Sequence, residues 1–449
     1  MKFFTAAVLL LALCLGTMAQ QKAKAFPYAY TIDDLPNGLR LVTVPTDYPN
    51  LVALYIVVQT GSRNEVEPGK TGYAHFFEHL MFRGSEHYTS AERDAILKKA
   101  GSDPNAYTSD DRTVYHEVFS KEDLPKIMEL ESDRFKHLKY TADQFKTEAL
   151  AVKGEYNKNN SNPISQLYEK MRETAFGTHT YAHTTMGYVK DIDDFPNQLD
   201  YSWQFWSRYY RPEYTTVVVV GDVQRAQVLE MVRHSFGDWK KGDFVAKIPT
   251  EPAQTGPRTA HVDWPAPTLP YLAVAFHGPA YSDTAKDKAA LDLLATVAFG
   301  GNSELYQKLV LREQKVDFVS PNFSDQVDPE LFAIFARVKD PKDVDYVRDQ
   351  ILATFQRYST ELIPQEKLNA TRSNLRYSFA LQMDSSEAIA NNLAPYISLR
   401  RTPETINQVF DLYDKITPAD VRAAAQRYFT ENQRTIVTLA TKANQGGGN

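Results

Sequence analysis

Cysteine is almost absent from this chain: among 449 residues only Cys14 carries a thiol. That residue lies in an apolar N-terminal stretch. If the stretch is removed, the remaining protein can form no disulfide and offers no thiolate to a metal. Any metal site must then be built from histidines and carboxylates. Positive charge is also scarce. Fifty Lys and Arg face 56 Asp and Glu, for a formal net charge of −6. With no basic surplus to displace counterions from phosphates, nothing points to a nucleic-acid partner. Long apolar runs are missing as well. Beyond the first nineteen residues no segment is long and apolar enough to cross a bilayer, so no stable membrane span is expected. Charged residues make up 24% of the chain, an ordinary share for a folded protein.

The N-terminus is the clearest compositional anomaly. Lys2 precedes residues 3–15, which are apolar apart from Thr5, and Thr17-Met18-Ala19 follow. A short positive start, an apolar core and small residues at the cut predict a signal peptide over residues 1–19, cleaved near Ala19. The alternatives are a membrane anchor or a lipid on Cys14. Leu13 stands where a lipid-attachment site wants a small residue, which favours cleavage. Export without disulfides points to a bacterial periplasm.

The rest is too long for one core and reads as two similar halves. Alternation over residues 39–44, the apolar run 51–59 and the β-branched run 215–220 predict strands. Residues 73–82 read as a helix that stops at Gly84, and 223–239 as an amphipathic closing helix. Pro249, Pro252, Gly256 and Pro257 mark residues 241–262 as a linker. The plan then repeats: a strand over 271–277, a polar loop, a helix over 285–298 and a stop at Gly300-Gly301. A helix over 418–429 and a strand over 435–441 close the second half, before a Gly-rich tail. The expectation is an α+β protein of two homologous domains, 27–240 and 263–443, with residues 444–449 a flexible tail. Each domain should be a mostly antiparallel sheet packed with helices, and the two should face each other across a substrate chamber. The second copy of the 73–82 helix has no histidines, so the chemistry belongs to the first half.

That chemistry centres on His75-Phe76-Phe77-Glu78-His79. Residues four apart on a helix share a face, and two imidazoles so spaced can hold one tetrahedral zinc ion. Glu78 points the same way and is better placed to activate a water than to coordinate. Two buried structural histidines are the plainer reading of the motif alone. Zinc peptidases commonly complete such a site with one carboxylate. Glu148 and Glu155 are seven residues apart in the helical stretch 144–157 and face one way. One of them can bind metal while the other steadies a ligand; a solvated helix face would look the same. His179 and His183 repeat the four-residue spacing, but in a loop, and are read as non-metal.

HxxEH followed, about seventy residues on, by E-x6-E resembles the inverzincins of the pitrilysin/insulinase family. The likeness is greatest to its short two-domain form, that of mitochondrial processing peptidase and its bacterial homologues. It extends over nearly all of the chain beyond the signal segment, and the 76 residues from His79 to Glu155 match the family interval. The resemblance implies one zinc ion on His75, His79 and Glu155, with Glu78 as general base and Glu148 behind a ligand. It implies a zinc-dependent endopeptidase acting on extended or unstructured peptides. Residues 101–108 resemble the family's substrate-binding edge strand, where Asn105 and Ala106 hold peptide backbone and Phe76 contacts substrate. A strand of that kind binds by β-augmentation. A His₂Glu site favours zinc but would accept cobalt or manganese.

One departure stands out. The family stabilises the oxyanion with an Arg followed about seven residues later by a Tyr, both from the second domain. Arg312 fits the arginine, but the tyrosine position falls on Phe318 or Val319. A ring without a hydroxyl cannot donate to an oxyanion, and one lost donor costs roughly 10²–10³ in rate. The expectation is a dimer, either with a homologous subunit that supplies the Arg/Tyr element or with a second copy that tolerates Phe318. A non-catalytic peptide-binding or scaffold subunit is the alternative.

Overall fold

Runs of β-branched and aromatic residues form two sheets in the computed structural model, which describes residues 24–442. The expected signal segment, Cys14 and the tail 444–449 lie outside the described residues. The first sheet holds β1 (Thr31–Asp34), β2 (Arg40–Pro45), β3 (Leu51–Val58), β4 (Asn105–Thr108), β5 (Thr113–Ser120) and β6 (Thr215–Gly221), in the order β1-β2-β6-β3-β5-β4. The second holds β7 (Arg258–Trp264), β8 (Tyr271–His277), β9 (Val316–Asn322), β10 (Leu331–Val338) and β11 (Arg434–Thr441), in the order β7-β11-β8-β10-β9. Pairing is antiparallel except for β2 with β6 and β7 with β11, one parallel pair in each sheet. The fold is α+β, with two sheets packed with helices.

β3, β6 and β8 are largely apolar because both of their faces are covered. In the first sheet, Val52, Leu54, Ile56, Val217 and Val219 point into the core beneath the helices of their own half. Ala53, Tyr55, Val57, Val218 and Val220 point the other way and meet Ile389, Leu393 and Ile397. These last belong to a helix of the second half, Ser386–Arg400. The exchange is reciprocal. Leu167, Met171 and Ala175, from the helix Pro163–Ala175 of the first half, cover Ala273, Ala275 and Ala333 of the second sheet. Each half thus lends a helix to the other, and neither closes its core alone.

A buried polar network lies where the halves meet. Arg172 makes two 3.1 Å hydrogen bonds to Asp110 and lies 3.8 Å from Glu330 of the second half. The Gln326 amide donates to Asp110 (3.0 Å) and the Val327 N–H to Asp111 (2.8 Å). The expected linker ends earlier than its composition suggests. Residues 237–257 carry no helix or strand, but the chain enters β7 at Arg258 and pairs in register with β11. β7 alternates between exposed and half-buried positions, so the sequence there offers no apolar run.

Candidate metal centre

Two helices carry the expected metal-site side chains, α1 (Tyr73–Leu80) and α2 (Ala142–Asn160). In α1, Tyr73, Phe76, Phe77 and Leu80 are buried, the i, i+3, i+4, i+7 face of an amphipathic helix. His75, Glu78 and His79 fall on the opposite face. Gly72 begins the helix at φ +87°, where an added Cβ would meet the Met186 carbonyl oxygen at 2.6 Å. Glycine has no side chain with which to cap a helix, and the buried Glu65 takes that role. Its two carboxylate oxygens accept from the Gly72 and Ala74 N–H groups at 2.7 Å each.

α2 brings the carboxylates to α1. Glu155 Oε2 lies 3.6 Å from His75 Nε2 and 3.5 Å from His79 Nε2, with the two rings 4.9 Å apart and nearly perpendicular. Ligand atoms about 2.0–2.1 Å from a tetrahedral ion lie about 3.3 Å from one another. The separations therefore fit a His₂Glu site with little rearrangement. Among the described residues, this is the group of three that converges closely enough to hold a metal ion. Seven residues earlier on α2, the buried Glu148 sits 3.1 Å from His79 Nδ1 and pairs with Arg83 through its other oxygen. With Nδ1–H donating to Glu148, the Nε2 lone pair of His79 faces Glu155. Burial, aided by the nearby His79, pushes His75 down to about 4, so its imidazole is neutral, the form that ligates a metal.

Glu78 accepts a 2.6 Å hydrogen bond from the Thr108 hydroxyl. Burial raises its carboxyl above the ordinary value, opposed by that hydrogen bond and by His79. A raised carboxylate suits a base working near neutral pH. Thr108 ends β4, an edge strand of the first sheet, which lies beside α1. Asn105 and Ala106 are on that strand, and the Ala106 N–H bonds the Asn105 side chain (2.8 Å).

Two expected site residues make no contact with the metal cluster among the described residues. Phe76, expected against substrate, is fully buried, stacked on Phe195 at 4.6 Å and packed on Phe145. Its place on the core face of α1 is the physical reason. Arg312 is exposed at the end of a π-helical turn, and no hydrogen bond or ion pair among the described residues joins it to His75, Glu78, His79 or Glu155. Phe318 lies on β9 and lines a cavity of about 700 Å³ between the halves, together with Tyr156, Tyr168, Glu169, Met186 and Phe335. His179 is held by Asp328 at 2.9 Å, and His183 lies 3.0 Å from the Thr184 carbonyl. Glu65, Arg83 and Thr108 escaped the sequence reading. Only Thr108 left a trace there, as the last residue of the stretch that resembles an edge strand.

Residues 40–188 match the family model for insulinase, peptidase family M16, and residues 198–375 match that for the peptidase M16 inactive domain. The chain is 30% identical over 415 residues to zinc protease PqqE of Helicobacter pylori, with 90% of this chain and 91% of that protein covered. It is 23% identical over 431 residues to a probable mitochondrial-processing peptidase subunit beta of Arabidopsis thaliana, covering 91% of this chain and 78% of that one. The crystal structure of a protease from Helicobacter pylori superposes with a TM-score of 0.85 at 29% identity, covering 92% of this chain and 99% of that chain.

Proposed function

Since this chain belongs to the M16 peptidase family, we propose that it is a zinc-dependent endopeptidase with His75, His79 and Glu155 as ligands and Glu78 as general base. The observation that carries this reading is the approach of one Glu155 oxygen to within 3.6 Å of both histidine Nε2 atoms, with Glu78 on the same helix face. A bound zinc ion supplies Lewis acidity to the scissile carbonyl and to the attacking water. Glu78 takes the proton from that water and returns it to the leaving amine. Glu148 holds the His79 ring in the ligating orientation. An extended peptide adds to the open edge of β4, where Asn105 and Ala106 meet its backbone.

The working form is a dimer with a homologous subunit, which supplies the oxyanion donor that Phe318, a ring without a hydroxyl, cannot. The relative named as a processing-peptidase beta subunit supports that arrangement. The apolar segment 3–15 supports export. A second reading, a peptide-binding subunit without catalysis, is favoured by Phe318 alone. Glu78→Gln separates the two. The variant is expected to keep the zinc of the wild type and lose cleavage of an unstructured peptide pool by at least a hundredfold, the scale of a lost general base. Equal cleavage by the two proteins would remove Glu78 from the mechanism. No cleavage by either, with any copurifying subunit present, would favour the binding subunit.

A further inference from the structure

We infer that Thr108 is a positioning residue through which the peptide-docking strand aims the catalytic base. The inference rests on the peptidase reading above and concerns how its base is held.

Thr108 Oγ1 lies 2.6 Å from Glu78 Oε2 and 3.4 Å from Thr113 Oγ1. A hydroxyl has one proton to donate. The Thr113 hydroxyl donates to the Thr60 carbonyl (2.9 Å), and a carboxylate can only accept, so the Thr108 proton goes to Glu78. Among the described residues this is the one hydrogen bond on the Glu78 carboxylate, and its other oxygen, Oε1, is left to meet a water. A carboxylate with one oxygen pinned presents the other in a fixed direction, which is what proton transfer from a placed water requires.

The pinning hydroxyl belongs to β4 itself. Asn105 and Ala106 lie three and two residues before it on the same four-residue strand. The strand is fixed from beyond its end as well. Asp110 is held by Arg172 and Gln326, and Asp111 by the Val327 N–H and the Tyr181 hydroxyl. Gln326 and Val327 come from the second half, so the half without metal ligands sets the strand that sets the base. A peptide that straightens or shifts β4 therefore acts on Glu78 through one hydrogen bond.

The test compares Thr108→Val and Thr108→Ser with wild type in the full chain, together with whatever subunit copurifies. The readouts are kcat and KM on a fluorogenic unstructured peptide, zinc per chain, and peptide Kd measured on the uncleaving Glu78→Gln background. Valine keeps the β-branched shape and removes the donor. For Thr108→Val, kcat is expected to fall roughly tenfold to a hundredfold, the scale of a misdirected reacting group. KM, zinc content and peptide Kd should stay at wild-type values, and Thr108→Ser should recover most of kcat. A Thr108→Val kcat equal to wild type, with Glu78→Gln inactive, would overturn the inference and leave the peptidase reading intact. So would a loss of zinc or of peptide binding in step with kcat, or a serine variant as slow as the valine one. A wild type that carries zinc and cleaves nothing would fell the peptidase reading, and this inference with it.

Discussion

Glu65 does for the HxxEH helix what Gly72 cannot, capping it from a loop seven residues away with both carboxylate oxygens. That contact was not legible in the sequence. An isolated glutamate in a polar loop has no local signature, and its partners are backbone groups. Arg83 on Glu148 and Thr108 on Glu78 share the difficulty, since both join positions far apart in sequence. His75, Glu78, His79, Glu148 and Glu155 were legible because helical spacing alone puts each set on one face. Phe76 is the instructive miss. The periodicity of Tyr73, Phe76, Phe77 and Leu80 assigns it to the core, and that pattern outweighs the analogy that drew it towards substrate. Glu65→Ala leaves two buried N–H groups without acceptors. It is expected to lower stability by about 2 kcal/mol, the cost of such orphaned donors, and to weaken zinc retention. Urea unfolding with metal analysis checks it, and an unchanged midpoint would show that the helix caps itself.

β4 shows how much function rests on one short element. Its four residues form an edge because β5 covers only one side. The Ala106 N–H is bonded to the Asn105 side chain, so an arriving peptide can take over that donor. Ala106→Pro removes it while keeping an extended backbone. Peptide affinity is expected to fall roughly tenfold, the worth of one well-made hydrogen bond, with zinc content unchanged. Peptide titration on the Glu78→Gln background reads this directly, and unaltered affinity would place the docking edge elsewhere. Among the other elements, the sequence reading located β6 and β8 to within a residue, since β-branched or aromatic runs bounded by turn residues have few alternatives. It missed the start of β7, whose alternating polar positions follow a Pro-rich stretch and read as linker.

At the scale of the whole molecule, the exchange of helices between the halves lay beyond sequence reasoning. Amphipathic spacing says that Leu167, Met171 and Ala175 share a buried face, and says nothing of which sheet receives it. The exchange makes the two halves one cooperative body, with Arg172, Asp110 and Glu330 buried at the junction. The second half, much of which falls in the stretch 198–375 matched to a domain described as inactive, thereby bears on the first through Asp110 and Asp111. It also contributes Phe318 to the cavity between the halves, which Tyr156, the neighbour of Glu155, lines as well. Everything proposed for the molecule depends on a metal bound where α1 and α2 meet. The most direct test is metal analysis of the untagged, dialysed protein as wild type and as Glu155→Ala, with cleavage followed before chelation, after it and after zinc is returned. About one zinc per wild-type chain is expected, with cleavage that vanishes on chelation and returns with zinc, and little zinc in Glu155→Ala. A wild type without zinc, or a Glu155→Ala protein that holds zinc as well as the wild type, would contradict this expectation.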